Sequence, residues 1–255
     1  MYTLGIDIGS ITTKAAVMED KQLLNTKVIF TGYNAEGAAN RIIHEILAES
    51  KLDRDVISSI IATGYGRKSV TSAKKAVTEI MCHGAGACFL NPQVRTIIDI
   101  GGQDSKVIAM DPSGKVINFA MNDKCAAGTG RFLEVMARAL EVDLDDFGTL
   151  SLQADTPAKI SSLCTVFAES EVISLIARGE ERKNIIAGIH ESIATRVSAM
   201  VNRVGLKEPV MMTGGVAKNL GVVKALEDKI GLRMTVSSHA QATGAIGAAC
   251  LAFEC

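Results

Sequence analysis

A short motif that could hold an oligophosphate occurs twice in this chain. The first copy reads GIDIGSITTK from Gly5 to Lys14, and the second reads IDIGGQDSK from Ile98 to Lys106. In each copy an apolar strand delivers an aspartate, and glycines follow it, so that backbone N–H groups can approach a phosphate without interference from a Cβ atom. Two such loops that face each other would clamp an oligophosphate and its metal between two related halves of the protein.

Each loop supplies donors for phosphate oxygens and a carboxylate for a cation. In the first loop, hydroxyls, backbone N–H groups and an ammonium suit β- and γ-phosphate oxygens. The predicted binding residues there are Gly9, Ser10, Thr12, Thr13 and Lys14. The second loop adds Gly101 and Gly102, and its Gln103 is placed to orient a water or to sense the γ-phosphate. Asp7 and Asp99 are predicted to face each other, to hold a hydrated Mg²⁺, and to form the catalytic set with Gln103.

A third glycine turn follows a strand and precedes a helix near the end of the chain. It reads MTGGVAKN from Met212 to Asn219, and a nucleoside can lie flat on it because glycine has no side chain to block the approach. The predicted cofactor-binding residues of this turn are Gly214, Gly215, Ala217 and Asn219. The three loops, in this order, resemble those of the ATPase superfamily of actin, heat-shock chaperones and sugar kinases. The resemblance covers essentially the whole chain and implies ATP or ADP as the nucleotide.

The order of the strands and helices agrees with that resemblance. Apolar runs and helical periodicity predict a β-β-β-α-β-α pattern that occurs twice. In the second half, strands are predicted near Thr96–Ile100 and at Val210–Thr213, and helices over about Thr129–Glu141, from near Val166 and over about Asn184–Val204. We therefore expect an α/β protein with a duplicated actin-like ATPase fold, in which two βββαβα subdomains have the nucleotide cleft between them. The first subdomain is assigned to residues 1–95 with a C-terminal helix at 242–255, and the second to residues 96–241. The stretch 74–88 is predicted to be helical.

Two of the six cysteines stand in or beside turns that precede predicted helices. Cys125 lies in NDKCAAGTGRFLEV, and Cys164 begins CTVFAESEVIS. A thiolate at a helix N-terminus is stabilised by the helix dipole and by free N–H groups. Two thiolates per chain cannot ligate a 4Fe-4S cubane, which takes four, whereas two chains related by a two-fold axis can. Two alternatives stay open on these residues: cluster ligands shared by a homodimer, or small buried apolar side chains.

Both cysteine segments closely resemble those of the ATP-dependent activators (component A) of 2-hydroxyacyl-CoA dehydratases. This group lies in the BadF/BadG/BcrA/BcrD ATPase family, which also includes ATPase components of benzoyl-CoA reductases. TGYGR at Thr63–Arg67 and DIGGQDSKVI at Asp99–Ile108 fit the same family. The resemblance implies that Cys125 and Cys164 bind one 4Fe-4S cluster per homodimer. It also implies an ATP-hydrolysing electron donor whose acceptor is a 2-hydroxyacyl-CoA dehydratase or a related double-cluster reductase. A ferredoxin or flavodoxin would be its own electron donor.

Composition narrows the classes of partner. The net charge is −1, and the lysines and arginines are scattered along the chain. The chain therefore offers no basic surface for nucleic acid. No apolar run approaches the roughly 20 residues that span a bilayer. The N-terminus starts directly as a strand, without a signal-peptide core. We therefore expect a cytoplasmic protein with no nucleic-acid or membrane partner.

The remaining cysteines and histidines show no pattern of a site. Cys82, Cys88 and Cys250 are interpreted as packing residues in or near the core. His44, His190 and His239 have no partner pattern and are expected at solvated or ordinary polar positions.

Two other functions on the same scaffold remain open. A small-molecule kinase, for a sugar or an acyl group, would need a substrate pocket with a catalytic base, and it leaves Cys125 and Cys164 without a role. A chaperone or cytoskeletal ATPase would need a peptide-binding domain or a polymer interface. Phosphate transfer to an added acceptor would favour the kinase, and filament formation with ATP would favour the cytoskeletal protein.

Overall fold

A computed structural model describes residues 1–161 and 164–254 of the chain. Ser162, Leu163 and Cys255 lie outside the described residues, and so therefore does the last position of the predicted C-terminal helix. The described residues form two five-stranded sheets with helices packed on them. The predicted α/β class is thereby confirmed.

The first sheet has the strand order β3-β2-β1-β4-β5. Its strands are β1 (Tyr2–Ile8), β2 (Thr12–Glu19), β3 (Gln22–Phe30), β4 (Ile57–Thr63) and β5 (Lys75–Ala76). Strand β1 pairs antiparallel with β2 and parallel with β4. Both β1 and β4 are almost entirely buried, because helices cover the two faces of the sheet.

Helix α1 (Ala35–Glu49) covers one face of this sheet. It begins at Asn34, whose side-chain Oδ1 accepts the backbone N–H of Gly37 at 2.9 Å. Ile42 and Ile46 recur at helical spacing and pack into the same buried apolar cluster as Ile6 of β1.

Helices α2 (Glu79–Leu90) and α8 (Thr243–Leu251) pack closely against each other, and α8 also packs on β1. Glycines make this contact possible. A Cβ atom at Gly5 would lie 2.0 Å from the carbonyl oxygen of Ala245, and one at Gly247 would lie 1.7 Å from that of Cys82. The small residues of the last helix therefore serve close packing within the first part of the fold.

The second sheet has the order β10-β9-β6-β7-β8. Its strands are β6 (Thr96–Ile100), β7 (Ser105–Met110), β8 (Val116–Asn122), β9 (Val210–Thr213) and β10 (Met234–Val236). Five helices belong to this half: α3 (Gly130–Ala139), α4 (Leu144–Ser151), α5 (Thr165–Ala177), α6 (Arg182–Val204) and α7 (Leu220–Ile230). Helix α6 packs against α4 and α7, and α3 packs against α5.

The chain divides into two compact units. The first comprises Met1–Ile97, Ile108–Asn118 and Ser237–Cys255, and the second comprises Ile98–Val107 and Phe119–Val236. The assignment of residues 1–95 with 242–255, and of 96–241, to two actin-like subdomains stays a prediction.

Two local predictions differ from the structure. Within the stretch 74–88, Lys75 and Ala76 form the edge strand β5, and the helix begins only at Glu79. Helix α4 was not predicted, although Asp143 carries a recognisable start signal and its side chain accepts the N–H of Asp145. Among the described residues, four helices therefore lie between β8 and β9, and α4 is the one that helical periodicity did not predict.

His190 is buried, and the expectation of a solvated position is wrong for it. It lies in α6 with 1% of its surface exposed, edge-on to the ring of Phe147 at 5.6 Å. The hydroxyl of Ser151 donates to the carbonyl of Gly148 at 2.7 Å, so the His190 Nδ1, at 3.0 Å from the same oxygen, carries a proton and donates to it. Burial lowers the pKa of His190 to about 3.

This buried histidine should make the protein sensitive to acid. Between its unfolded pKa of 6.5 and its folded pKa of about 3, the unfolded chain binds a proton that the native chain excludes. The contribution of His190 to the free energy of unfolding is therefore complete above pH 6.5. Between pH 6.5 and about 3, the free energy of unfolding falls by about 1.4 kcal/mol per pH unit. We expect His190→Asn to unfold more easily at neutral pH but to show a shallower loss on acidification. Urea unfolding across pH measures both effects.

The control for this experiment is His44→Asn, at an exposed position of α1. It should run parallel to the parent protein over the whole pH range. If the free energy of unfolding of His190→Asn fell as steeply on acidification as that of the parent, His190 would not be the cause of the pH dependence.

Candidate nucleotide and cluster sites

The first predicted carboxylate, Asp7, lies at the end of β1 and is 4% exposed. The antiparallel register places it opposite Lys14 of β2, and Lys14 Nζ lies 3.2 Å from Asp7 Oδ2. The ammonium is still partly open to solvent, with 15% of the Lys14 side chain exposed. A buried carboxylate is thus paired with a cation that can also reach a ligand.

A glycine from the neighbouring strand approaches the same carboxylate. Strand β4 runs parallel to β1 and pairs Thr63 with Asp7, and Gly64 follows with φ +88°. A Cβ atom on Gly64 would lie 2.4 Å from Asp7 Oδ1, so neither the space nor the backbone conformation accepts a larger residue. This role of Gly64 was not predicted from the sequence, where TGYGR stood out only through its family resemblance.

The first loop is a tight turn between β1 and β2. The N–H of Gly9 donates to the carbonyl of Thr12 at 3.0 Å. Ser10 is exposed and Thr12 is half-buried. Thr13 is fully buried, and its hydroxyl lies 2.9 Å from that of Thr31 within the unit. Among the loop hydroxyls, Ser10 and Thr12 are therefore the better exposed toward a ligand.

The second predicted carboxylate, Asp99, lies near the end of β6 and is 2% exposed. The hydroxyl of Thr213 donates to its Oδ1 at 2.8 Å, and Lys106 Nζ lies 3.4 Å from its Oδ2. Lys106 also donates to Asp104 Oδ2 at 2.6 Å. Gly214 follows Thr213 with φ +87°, and a Cβ atom there would lie 3.0 Å from Asp99 Oδ1.

The two carboxylates have the same kind of local surroundings in their separate units. Each has a lysine seven residues later on the next strand, Lys14 for Asp7 and Lys106 for Asp99. Each also has a Thr-Gly pair with a left-handed glycine at the end of the neighbouring strand, at Thr63-Gly64 and at Thr213-Gly214. The duplication is therefore visible in side-chain contacts, and not only in the order of strands.

Carboxylate oxygens are the donors that Mg²⁺ takes in proteins. Asp7 and Asp99 fit that chemistry, because each is buried, lies beside an ammonium and is held in one orientation by its neighbours. The prediction that the two face each other concerns residues of different units and stays a prediction. Within residues 1–161 and 164–254, no group of three or more His, Cys, Asp or Glu side chains forms a ready metal site.

The second loop is bonded to the start of helix α3. The backbone N–H of Gly130 donates to the carbonyl of Gly101 at 2.9 Å, and that of Arg131 donates to the carbonyl of Gly102 at 2.8 Å. First-turn N–H groups have no partner inside their own helix, so these bonds satisfy them. Gln103, next in the loop, is exposed. The predicted phosphate loop and α3 are thus one hydrogen-bonded assembly.

The third loop continues from β9 into α7. Gly214 and Ala217 are buried, and Gly215 is half-buried. The side-chain oxygen of Asn219 accepts the N–H of Val222 at 3.0 Å and caps α7. Asn219 therefore has a structural role in addition to the nucleotide contact that the sequence predicts for it.

The Cys125 loop is fixed by the side chain of Asn122. The Asn122 amide donates to the carbonyl of Cys125 at 2.8 Å, and its oxygen accepts the Cys125 N–H at 3.2 Å. Further along the same loop, the Thr129 hydroxyl donates to the Ala126 carbonyl at 2.6 Å. The half-buried Cys125 is therefore presented from an ordered turn five residues before α3.

Cys164 is the N-cap residue of α5 and is exposed. The carboxylate of Glu171, two turns into α5, accepts the backbone N–H of Ser161 at 3.1 Å and its hydroxyl at 2.9 Å. This contact ties the chain before Cys164 to the helix that follows it. Because α3 packs against α5, the two cysteines precede neighbouring helices.

The other described cysteines differ from these two. Burial raises the pKa of the Cys82 thiol to about 12 and that of Cys250 to about 11, and it also raises the pKa of Cys88. Cluster ligation needs thiolates, which burial disfavours. Cys125 is half-buried and Cys164 is exposed, so a cluster could approach both thiols. Cys82 is fully buried, which confirms its prediction as a packing residue.

The chain is similar over its full length to known proteins. It is 50% identical to an activator of lactoyl-CoA dehydratase from Anaerotignum propionicum, over 100% of this chain and 98% of that protein. It superposes with a TM-score of 0.96 on component A of the Acidaminococcus fermentans (R)-2-hydroxyglutaryl-CoA dehydratase, at 48% identity and with 100% and 98% of the two chains covered. For the activator of the 2-hydroxyisocaproyl-CoA dehydratase from Clostridium difficile with bound ADPNP, the TM-score is 0.94 at 44% identity, with 100% and 95% covered.

These superpositions confirm the predicted duplicated actin-like fold. No helix in the part of the chain that the structure describes has both the length and the apolar character needed to cross a membrane. The model of the BadF/BadG/BcrA/BcrD ATPase family matches residues 4–252, and the chain belongs to that family.

Proposed function

We propose that this protein is an ATP-hydrolysing iron-sulfur electron donor that activates a 2-hydroxyacyl-CoA dehydratase or a related double-cluster reductase. One structural observation carries the proposal. The loop predicted to bind phosphate is hydrogen-bonded, through Gly101 and Gly102, to the helix that follows Cys125. The predicted phosphate loop and the helix after the predicted cluster ligand are thus joined by backbone hydrogen bonds. The full-length similarity to proteins named as activators of such dehydratases supports the same function.

ATP and ADP would be bound by the three glycine loops. Lys14 would pair with phosphate oxygens, because its ammonium is partly exposed while it neutralises Asp7. Gly214 and Gly215 would support the nucleoside, and Gln103 would orient the attacking water. Asp7 and Asp99 would hold a hydrated Mg²⁺, and positioning with charge compensation supplies most of the catalysis in phosphoryl transfer.

Cys125 and Cys164 would be the two ligands that each protomer contributes to one 4Fe-4S cluster of a homodimer. When bound, the cluster supplies one-electron redox chemistry at low potential. The surface next to Cys164 suits a dimer contact, because α5 exposes Val166, Phe167 and Ile173 with 65%, 68% and 55% of their surfaces open. Apolar side chains clustered on one short helix are typical of an interaction surface.

Through the hydrogen bonds of Gly130 and Arg131, a change at the nucleotide would reach the Cys125 loop. A movement of Gly101 and Gly102 on ATP binding or hydrolysis would be transmitted to α3, and Asn122 would keep Cys125 in a fixed orientation during that movement. ATP drives such a change only if it binds one arrangement more tightly than the other. A cytoplasmic location and a ferredoxin or flavodoxin as electron donor complete the proposal.

The test is an anaerobic visible spectrum of the purified protein with iron and sulfide counted per dimer. A brown band near ~400 nm and about four irons per dimer are expected for one four-thiolate cubane. A colourless protein that stays iron-free after anaerobic reconstitution would contradict the electron-donor function. In that case phosphate transfer to an added small-molecule acceptor would be assayed next, since a sugar or acyl kinase has the same kind of nucleotide site.

A further inference from the structure

Lys106 is a fully buried lysine that the sequence analysis gave no role. Only 2% of its side chain is exposed, and it is one of the large, fully buried side chains of the described residues. A buried ammonium is costly unless it is paired and hydrogen-bonded. Lys106 meets this requirement between two carboxylates, with its Nζ 3.4 Å from Asp99 Oδ2 and 2.6 Å from Asp104 Oδ2.

The equivalent lysine of the first unit is placed differently. Lys14 pairs with Asp7 at 3.2 Å, and 15% of its side chain is open to solvent. One ammonium and one carboxylate cancel there, whereas one ammonium and two carboxylates around Lys106 leave a charge of −1. Lys14 can therefore turn to a phosphate, while Lys106 is enclosed with the two acids.

The two oxygens of Asp99 have different partners. Oδ1 accepts the hydroxyl of Thr213 at 2.8 Å, and Oδ2 lies next to the ammonium of Lys106. The Thr213 bond fixes the plane of the carboxylate from one side. The ammonium lies at the oxygen that a hydrated cation would also use.

We propose that Lys106 is a positioning residue, an internal counter-ion that holds Asp99 in its orientation and competes with the divalent cation for Asp99 Oδ2. This inference rests on the role that the proposed function gives to Asp99. Because the cluster of Asp99, Asp104 and Lys106 is net negative, a divalent cation gains from binding near it even while the ammonium stays. Removing the ammonium should strengthen that attraction.

The experiment is a titration of Mn²⁺ into the full-length, ADP-saturated protein, with free Mn²⁺ followed by its EPR signal. We expect Lys106→Met to bind Mn²⁺ about tenfold more tightly than the parent, since a like charge beside a site shifts its affinity by about one logarithmic unit or more. Melting temperature is recorded in parallel. In EDTA, the variant should have a lower melting temperature than the parent. Adding Mn²⁺ should raise the melting temperature of the variant by more than it raises that of the parent.

Lys106→Gln keeps a hydrogen-bond donor without the charge, and it serves if Lys106→Met does not fold. Asp99→Asn tests the metal role of Asp99 separately from the role of Lys106. If Asp99→Asn weakens Mn²⁺ binding while both Lys106 variants leave it unchanged or weaker, the inference about Lys106 is wrong and the metal role of Asp99 stands. If Asp99→Asn has no effect on Mn²⁺, the metal role of Asp99 and the inference fall together, and the iron count tests the cluster independently.

Discussion

Replacing Cys164 with alanine should leave the protein folded and able to bind ATP but without iron and without any activation of a dehydratase. The physical reason is that an exposed N-cap thiol contributes little to packing, whereas each ligand removed from a shared cubane removes two of its four thiolates in the dimer. Cys125→Ala should have the same result. Iron and sulfide per dimer, the visible spectrum and nucleotide binding measure the effect.

Cys88→Ala is the matched control for both variants. Cys88 is a half-buried free thiol on α2, and it is not among the predicted ligands. It should retain the parent's iron content. A brown cluster with a full complement of iron in Cys125→Ala or Cys164→Ala would sink the ligand assignment. Loss of iron from the Cys88 variant as well would point to general instability instead.

Asp99→Asn should lower the rate of ATP hydrolysis about 100-fold or more, with nucleotide still bound. Asparagine keeps an oxygen for the hydroxyl of Thr213 and the volume of the buried side chain, but it removes the charge that the hydrated Mg²⁺ needs. Loss of one charge in a buried catalytic site commonly costs this much in rate. Steady-state phosphate release and ADP binding measure the two properties separately.

Asp7→Asn tests the counterpart carboxylate of the first unit and should fall in the same range. Asp228→Asn is the control, because Asp228 is an exposed residue of α7 that pairs only with Lys224 among the contacts described for it. It should hydrolyse ATP like the parent. Normal hydrolysis by Asp7→Asn or Asp99→Asn would remove that residue from the catalytic set.

The sequence by itself was sufficient for the main elements of the fold. Alternating and continuous apolar runs predicted β6 and β9 to the residue, and helical spacing predicted α6 within two residues of its N-terminus. These predictions succeed because the burial of a strand or a helix face depends on the local pattern of apolar residues. The same reasoning failed at α4, which is only eight residues long and buries only Phe147, Gly148 and Ser151.

The residues of the candidate site could also be proposed from the sequence, but the burial of these residues and the charges around them could not. Asp7, Asp99, Cys125 and Cys164 stood out because an aspartate at a strand end or a cysteine before a helix is a local signal. Lys106 looked like an ordinary strand lysine next to Asp104. Its burial depends on the strands and loops that enclose it.

The sequence alone therefore determined the family resemblance, the α/β class and the candidate residues for the site. Only the tertiary structure brought Thr213 to Asp99, across 114 residues of chain, and joined the N–H groups of Gly130 and Arg131 to the second phosphate loop. It also buried His190 in α6, which lowers its pKa. These contacts join segments far apart along the chain, and their energies depend on excluding water from the groups they join, a condition that arises only when the chain packs on itself.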